Sequence, residues 1–231
     1  LPIALQNLIN VAVTSADVVM LGRVGETVLS GSSLAGQVQF VLTLFLFGLT
    51  SGAAVLTAQY WGKKDMRTIE KVMGIAFRFS IIVSVIFLLA VQIFPAQVMS
   101  IFTPEQPVID EGVKYLRIVS FTYLLCAVTQ VYLNVMRSVE RVVIATVTYS
   151  VSLIVNIVIN GILIFGLLGF PRLGIVGAAI GTLIARIVEV LIVVVYAKTK
   201  SILNFKLRDL FVRDKLLFQD FIRYAIPVTL N

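Results

Sequence analysis

Long apolar runs dominate this sequence and restrict the folds that it can adopt. A helix needs about 20 mostly apolar residues to cross a bilayer. Six runs reach that length, at about residues 1–21, 33–61, 72–94, 112–136, 142–167 and 174–197. Hydrophobic residues make up 59% of the chain and charged residues only 13%, which is unlike a soluble domain. We therefore expect an all-α integral membrane protein with a six-helix transmembrane bundle.

Basic residues are distributed unevenly between the connecting loops. Lys and Arg concentrate in the cytoplasmic loops of membrane proteins. They cluster after the second, fourth and sixth runs, for example at Lys63, Arg141 and Lys206, whereas the opposite loops carry acids such as Glu105. The pattern predicts a multi-pass protein of the cytoplasmic membrane with a cytoplasmic N-terminus. It also explains the net charge of +7 without nucleic acid as a partner.

The sequence divides into three parts. Residues 1–197 form the six-helix lobe, residues 198–220 combine charged and apolar side chains, and residues 221–231 begin a further span. The middle part favours an amphipathic helix on the cytoplasmic membrane surface, which would bridge two bundles. Many transporters are built from internal repeats, and the start of the chain is echoed at Pro227. We expect a fragment whose C-terminal lobe is missing.

Asp17 lies in the first apolar run, where a carboxylate is costly. Insertion scales put that cost at about 2.5–3.5 kcal/mol, so such residues usually face a water-filled path for ions or substrates. At about 100° per residue, Gln6, Asn10, Thr14 and Asp17 share one helix face. This stripe predicts that one side of the first helix lines a polar cavity.

The fifth run carries Asn156 and Asn160, four residues apart on one face. Such amides often join helices inside membranes. Alternatively, they face the Asp17 stripe and supply neutral oxygens around a cation such as Na⁺. Thr182 in the sixth run either adds a hydroxyl to that site or only packs. Both interpretations are open at the level of sequence.

The fourth run aligns Tyr123, Gln130 and Asn134 within a narrow sector. These side chains either line the substrate cavity beside the first helix or join neighbouring helices. The second run offers Gln37, Ser51 and Gln59 at looser spacing. We take Tyr123, Gln130 and Asn134 as candidate residues of the substrate cavity.

The sixth run combines a small-residue face with a pair of opposite charges. Gly174, Gly177 and Gly181 are spaced for close helix packing. Arg186 and Glu189 are three residues apart and can form an ion pair on one helix face. The alternative makes Glu189 a second titrating carboxylate.

Several classes of function fit the composition poorly. The chain has no His and a single Cys, Cys126. An intramembrane enzyme needs a nucleophile with a base, or a set of metal ligands. We therefore expect no catalytic residues and no cofactor. A purely structural helical protein is a further possibility, and it predicts that Asp17 affects only stability.

Four short segments together resemble multidrug and toxic compound extrusion (MATE) transporters. They are Ser15-Ala16-Asp17, the exit of the second run at 58–62, the stretch 156–166 and the stretch 174–182. The resemblance implies one lobe of a twelve-helix transporter with two six-helix lobes. It also implies alternating access, and export of amphipathic, often cationic drugs driven by inward Na⁺ or H⁺.

The resemblance also assigns roles to individual residues. Asp17 matches the acidic residue of helix one that binds the coupling ion, and Asn156 matches the helix-five asparagine beside it. Asn160 stands where other members carry an aspartate, so the site suits either H⁺ or Na⁺. A lipid-linked oligosaccharide flippase of related fold is the alternative, but such proteins usually place several cationic residues in the cavity.

Overall fold

The computed structural model describes residues 11, 15–200, 203, 207–211 and 214–230. The described residues form helices and turns, with no strand among them. We number the helices α1 (15–22), α2 (Glu26–Gly62), α3 (Met66–Ile93), α4 (Pro95–Ser100), α5 (Gln106–Val119), α6 (Thr122–Ser138), α7 (Val143–Phe165), α8 (Ile175–Thr199) and α9 (Lys215–Leu230). Short 3-10 turns occur at Leu167–Gly169 and Leu207–Phe211.

Four helices are long and apolar enough to cross a membrane: α2, α3, α7 and α8. The bent pair α5 and α6 makes a fifth span if it is counted as one. The prediction of an all-α membrane protein is confirmed. Most of the run predicted at 1–21 lies outside the described residues.

The fourth predicted span, 112–136, is not one continuous helix. It divides into α5 and α6, which meet at an angle of 52°. The amide of Gln92 on α3 stabilises this break by donating 2.8 Å hydrogen bonds to the Arg117 carbonyl and to Ser120 Oγ. A membrane helix tolerates a break where a neighbouring side chain satisfies the freed backbone groups.

Helix α2 is central to the bundle, in contact with α3, α5, α6 and α9, while α7 packs along α8. The small-residue face predicted on α8 forms the contact between α7 and α8. A Cβ at Gly177 would lie 2.7 Å from the backbone of Leu163, so only glycine permits this approach. The predicted packing role of this face is confirmed.

The segment after α8 is not the single amphipathic helix that its pattern favours. Residue 203 is non-helical, Leu207–Phe211 is a 3-10 turn, and α9 begins at Lys215 rather than at Phe221. The turn is held against α3, because Arg67 pairs with Asp209 at 2.8 Å and the Asp209 backbone lies where a side chain at Gly74 would be. The division into lobe, bridge and seventh helix stays a prediction.

Asp214 links α3 to the start of α9. Its Oδ1 accepts a 3.2 Å hydrogen bond from the Leu217 N–H, and its Oδ2 lies 3.2 Å from Lys71 Nζ. The Leu217 hydrogen bond and the Lys71 ammonium hold the pKa of Asp214 below its usual range. The carboxylate therefore stays ionised at neutral pH, where it caps α9 and pairs with α3.

Candidate ion and substrate site

A cavity of about 560 Å³ opens between the helices of the bundle. Its wall is partly polar although the bundle is largely apolar. The polar lining comes from six helices and includes Asp17 of α1, Gln39 and Thr43 of α2, Tyr115 of α5, Gln130 of α6, Asn156 of α7, and Thr182, Arg186 and Glu189 of α8. Four of the seven described residues that the sequence assigns to a functional site line this cavity: Asp17, Gln130, Asn156 and Thr182.

Asn160 joins Asp17 to Asn156. Its Nδ2 donates a 2.6 Å hydrogen bond to Asp17 Oδ1 and a 3.2 Å hydrogen bond to Asn156 Oδ1. Both asparagines are buried, with exposures of 3% for Asn156 and 0% for Asn160. The structure thus brings together the three residues that the sequence analysis combined. The contact pairs a carboxylate acceptor with an amide donor, an arrangement that suits the ionised form of Asp17.

The orientation of the Asn160 amide depends on a glycine of α8. The Asn160 carbonyl oxygen packs against Gly181, and a Cβ at that position would lie 1.9 Å from it. This oxygen has no hydrogen-bond partner among the described residues. A half-turn of the amide would exchange its oxygen and nitrogen, so that a carbonyl oxygen would face Asp17. The same side chain can therefore offer a donor or a cation ligand.

Arg186 and Glu189 form the ion pair that their spacing predicts. Arg186 Nη1 lies 2.9 Å from both carboxylate oxygens of Glu189. The Glu189 side chain is 2% exposed, and that of Arg186 is 29% exposed. Both residues line the cavity. With Asp17, the described lining carries two carboxylates and one guanidinium, so its formal charge is negative.

The structure separates the three residues proposed from the fourth run. Gln130 lines the cavity. Tyr123 does not: it is fully buried in the core cluster with Leu42 of α2 and Leu116 of α5, which cover this end of α6. Asn134 donates a 3.0 Å hydrogen bond to the Gln130 carbonyl in its own helix and is absent from the cavity lining.

The remaining predicted site residues belong to the first run and to α8. Gln6, Asn10 and Thr14 lie outside the described residues, so the stripe on the first helix is described only at Asp17. Thr182 lines the cavity one residue after Gly181.

The sequence analysis missed polar cavity residues on α2 and α5. Gln39, Thr43 and Tyr115 line the cavity beside Asp17. A signal for two of them existed, because Ser32, Gly36, Gln39 and Thr43 recur every three or four residues and share one helix face. Tyr115 is the one residue of α5 in the described lining, so no repeating pattern on that helix indicated it.

These features define an all-α integral membrane protein with a polar, negatively charged cavity inside a helical bundle. The chain belongs to the MatE family, whose family model matches residues 2–162.

Named relatives and solved structures agree with this family. The chain is 27% identical over 234 residues to "Probable multidrug resistance protein YoeA" of Bacillus subtilis (strain 168), covering 100% of the chain and 50% of that protein. It is 26% identical to "Probable multidrug resistance protein NorM" of Rhizobium meliloti (strain 1021), covering 97% of the chain and 48% of that protein. The chain thus spans about half the length of these curated relatives.

The fold matches half of a known transporter structure. An outward-facing multidrug resistance MATE family transporter of the MOP superfamily superimposes with a TM-score of 0.88 at 21% identity. The match covers 99% of this chain and 50% of that one. The fold is therefore that of one lobe of a twelve-helix MATE transporter.

Proposed function

We propose that this chain is the N-terminal lobe of a cation-coupled antiporter that exports amphipathic, often cationic drugs across the cytoplasmic membrane by alternating access. The observation that carries the proposal is the hydrogen bond between Asp17 and Asn160 at the wall of a polar cavity. Membership of the MatE family and the names of the multidrug resistance relatives support the same function.

The proposed coupling site consists of Asp17, Asn156, Asn160 and Thr182. Carboxylate, amide and hydroxyl oxygens are the ligands that a hard cation prefers. The unpartnered oxygen of Asn160 supports this fit, because a rotation of its amide would add a neutral ligand beside Asp17. The coupling ion is Na⁺ or H⁺, since one carboxylate with neutral oxygens serves either.

Coupling follows from competition for the charge on Asp17. Ionised Asp17 attracts a cationic substrate into the negatively charged cavity. Proton or Na⁺ binding neutralises the carboxylate and weakens that attraction, so the substrate leaves. A ligand shifts a conformational equilibrium only through different affinities for the two states. Alternating access then requires a second lobe of the same protein that rocks against this one.

The charge arrangement favours a drug over the phosphate-bearing substrate of an oligosaccharide flippase. Arg186 is the cation in the described cavity lining, and Glu189 already holds it at 2.9 Å. A phosphate would therefore meet two carboxylates and a guanidinium that is already paired. A cationic substrate meets a net negative wall instead.

The proposed orientation places the N-terminus in the cytoplasm. The basic residues that follow α2, α6 and α8 support it, since Lys and Arg concentrate in cytoplasmic loops.

Transport by the full-length native protein in proteoliposomes tests the proposal. A fluorescent cationic dye is the substrate, and either a Na⁺ gradient at equal pH or a pH gradient without Na⁺ is imposed. We expect one gradient to drive dye movement and the Asp17→Asn variant to abolish it. If neither gradient drives transport of any cationic dye, the antiporter proposal fails. Transport under a pH gradient alone assigns the coupling to H⁺ and excludes a Na⁺ site.

A further inference from the structure

Arg78 lies where α3 changes from a charged to an apolar sequence. Charged residues precede it, whereas residues 79–91 contain only two serines among apolar side chains. Exposed apolar residues follow Arg78 at helical spacing on one face of α3: Ile82, Ile86, Leu89 and Ile93. Side chains of this kind on a membrane helix face lipid. Arg78 therefore marks the membrane surface at the end of a lipid-facing stripe.

A second cavity, of about 390 Å³, adjoins Arg78 between α3 and α9. We call it the α3–α9 pocket, and it is lined by Arg78, Phe79, Asp214, Lys215 and Phe218. The rings of Phe79 and Phe218 stack with centroids 5.5 Å apart and form its apolar part. None of these residues lines the cavity that contains Asp17.

The charges of the α3–α9 pocket are not balanced within the described part of the chain. Arg78 has no hydrogen bond or ion pair there; its buried Nε lacks an acceptor, and its guanidinium lies 5.7 Å from the Phe79 ring centroid. Lys215 likewise has no described acidic partner. Asp214 does not balance these two charges, because its single negative charge is already paired with Lys71 at 3.2 Å.

A phosphate group fits this arrangement. The guanidinium of Arg binds phosphate through paired hydrogen bonds, and such an anion offsets the loss of water at an apolar boundary. Lys215, at the start of α9, adds a second positive charge. Basic pockets between transmembrane helices at a membrane surface are typical sites for anionic lipid headgroups.

We propose that the α3–α9 pocket binds the phosphate headgroup of an anionic phospholipid, with the acyl chains lying along the exposed stripe of α3. The stripe distinguishes a lipid from free phosphate, because a soluble anion would use the basic residues alone. The site is separate from the coupling site and does not depend on the proposed transport function.

Native mass spectrometry of the full-length protein in detergent tests this proposal. The probes are phosphatidylglycerol and phosphatidylcholine with identical acyl chains. We expect phosphatidylglycerol to bind more tightly. Arg78→Gln and Lys215→Gln should each weaken that binding by about fivefold, as expected for one basic residue at a membrane surface. Arg141→Gln is the matched control, because Arg141 is exposed and lies outside the pocket.

Each result has a defined meaning. Equal binding of the two lipids, or equal losses in Arg78→Gln, Lys215→Gln and Arg141→Gln, overturns the proposal. Displacement of phosphatidylglycerol by excess inorganic phosphate, together with equal binding of phosphatidylglycerols that carry short and long acyl chains, assigns the pocket to a soluble anion and also overturns the proposal. If Arg78→Gln does not fold, the exposed residue Lys215 still gives the answer, because Lys215→Gln removes a pocket charge without disturbing the core.

Discussion

Asn160 donates a 2.6 Å hydrogen bond to Asp17 and so joins α7 to α1 across 143 residues of sequence. The same nitrogen also donates to Asn156. A single amide thus holds a carboxylate at the wall of the cavity. Anything that changes the charge of Asp17 must also change this contact, which gives the coupling proposal its most direct tests.

Asp17→Asn in the full-length protein should abolish coupled efflux while membrane expression stays near the wild-type level. The amide preserves the size of the side chain and can still accept from Asn160, but it neither titrates nor carries charge. Drug resistance of cells and the amount of protein in their membranes are the measurements. Asp110→Asn is the control, because Asp110 is exposed and far along the chain from the site. Wild-type resistance of the Asp17→Asn strain would show that this residue has no role in coupling.

The asparagine pair distinguishes the two candidate ions. If Asp17, Asn156 and Asn160 coordinate Na⁺, Asn156→Ala should raise the Na⁺ concentration for half-maximal efflux by about tenfold, which corresponds to about 1.4 kcal/mol. Asn160→Asp should lower that concentration or preserve transport, because it replaces a neutral ligand by a carboxylate. Efflux from proteoliposomes at a series of Na⁺ concentrations measures the half-maximal concentration for both variants. An unchanged Na⁺ dependence in Asn156→Ala would exclude this residue as a ligand.

Gly181 should be essential for the position of Asn160. An added Cβ would lie 1.9 Å from the Asn160 carbonyl oxygen, so Gly181→Ala must displace that side chain or separate α7 from α8. We expect Gly181→Ala to lower the free energy of unfolding by about 1–3 kcal/mol, the usual range for overpacking. Gly161→Ala is the matched control: a Cβ added there would meet no atom within 4 Å, and alanine favours the helix.

Thermal unfolding of the purified protein in detergent measures both glycine variants. Gly181→Ala should unfold at a lower temperature than the wild type, and Gly161→Ala at the same or a higher one. Equal stability of the two variants would show that the contact between Gly181 and Asn160 does not constrain the packing of α7 on α8.

The sequence predicted those features that follow from local spacing. The long apolar helices follow from the apolar runs, and the Arg186–Glu189 pair from its separation of three residues. The contact of Asp17 with the asparagine pair was one of two alternatives left open by the sequence, because such amides either join helices or supply neutral oxygens to a cation.

Features set by distant contacts were not predictable in this way. The break between α5 and α6 depends on Gln92 of another helix, which satisfies the Arg117 carbonyl. Tyr123 shares a face of α6 with Gln130, but α2 and α5 cover it, and it is buried beside Leu42 and Leu116. The 3-10 turn before α9 depends on Arg67 and on the missing side chain of Gly74. Side-chain periodicity within one helix carries no information about such partners.

The proposed topology predicts which positions are reached from outside the cell. Single cysteines at positions 63, 141, 206 and 105 are introduced into a variant that lacks Cys126, and intact cells are treated with an impermeant thiol reagent. Only position 105 should react before lysis, because the basic loops are placed in the cytoplasm. Reaction at position 63 in intact cells, with none at position 105, would show that the chain has the opposite orientation in the membrane.

Glu189→Gln should destabilise the protein more than the double variant Arg186→Gln/Glu189→Gln. The single change leaves the Arg186 guanidinium without its carboxylate, whereas the double change removes both charges. Breaking a fully buried pair costs about 3–5 kcal/mol, and we expect a smaller loss here because Arg186 keeps 29% of its side chain exposed to the cavity. Thermal unfolding of the three proteins measures the order. If the double variant is the least stable, the pair stabilises the bundle by more than the cost of its burial, and the order predicted here is wrong.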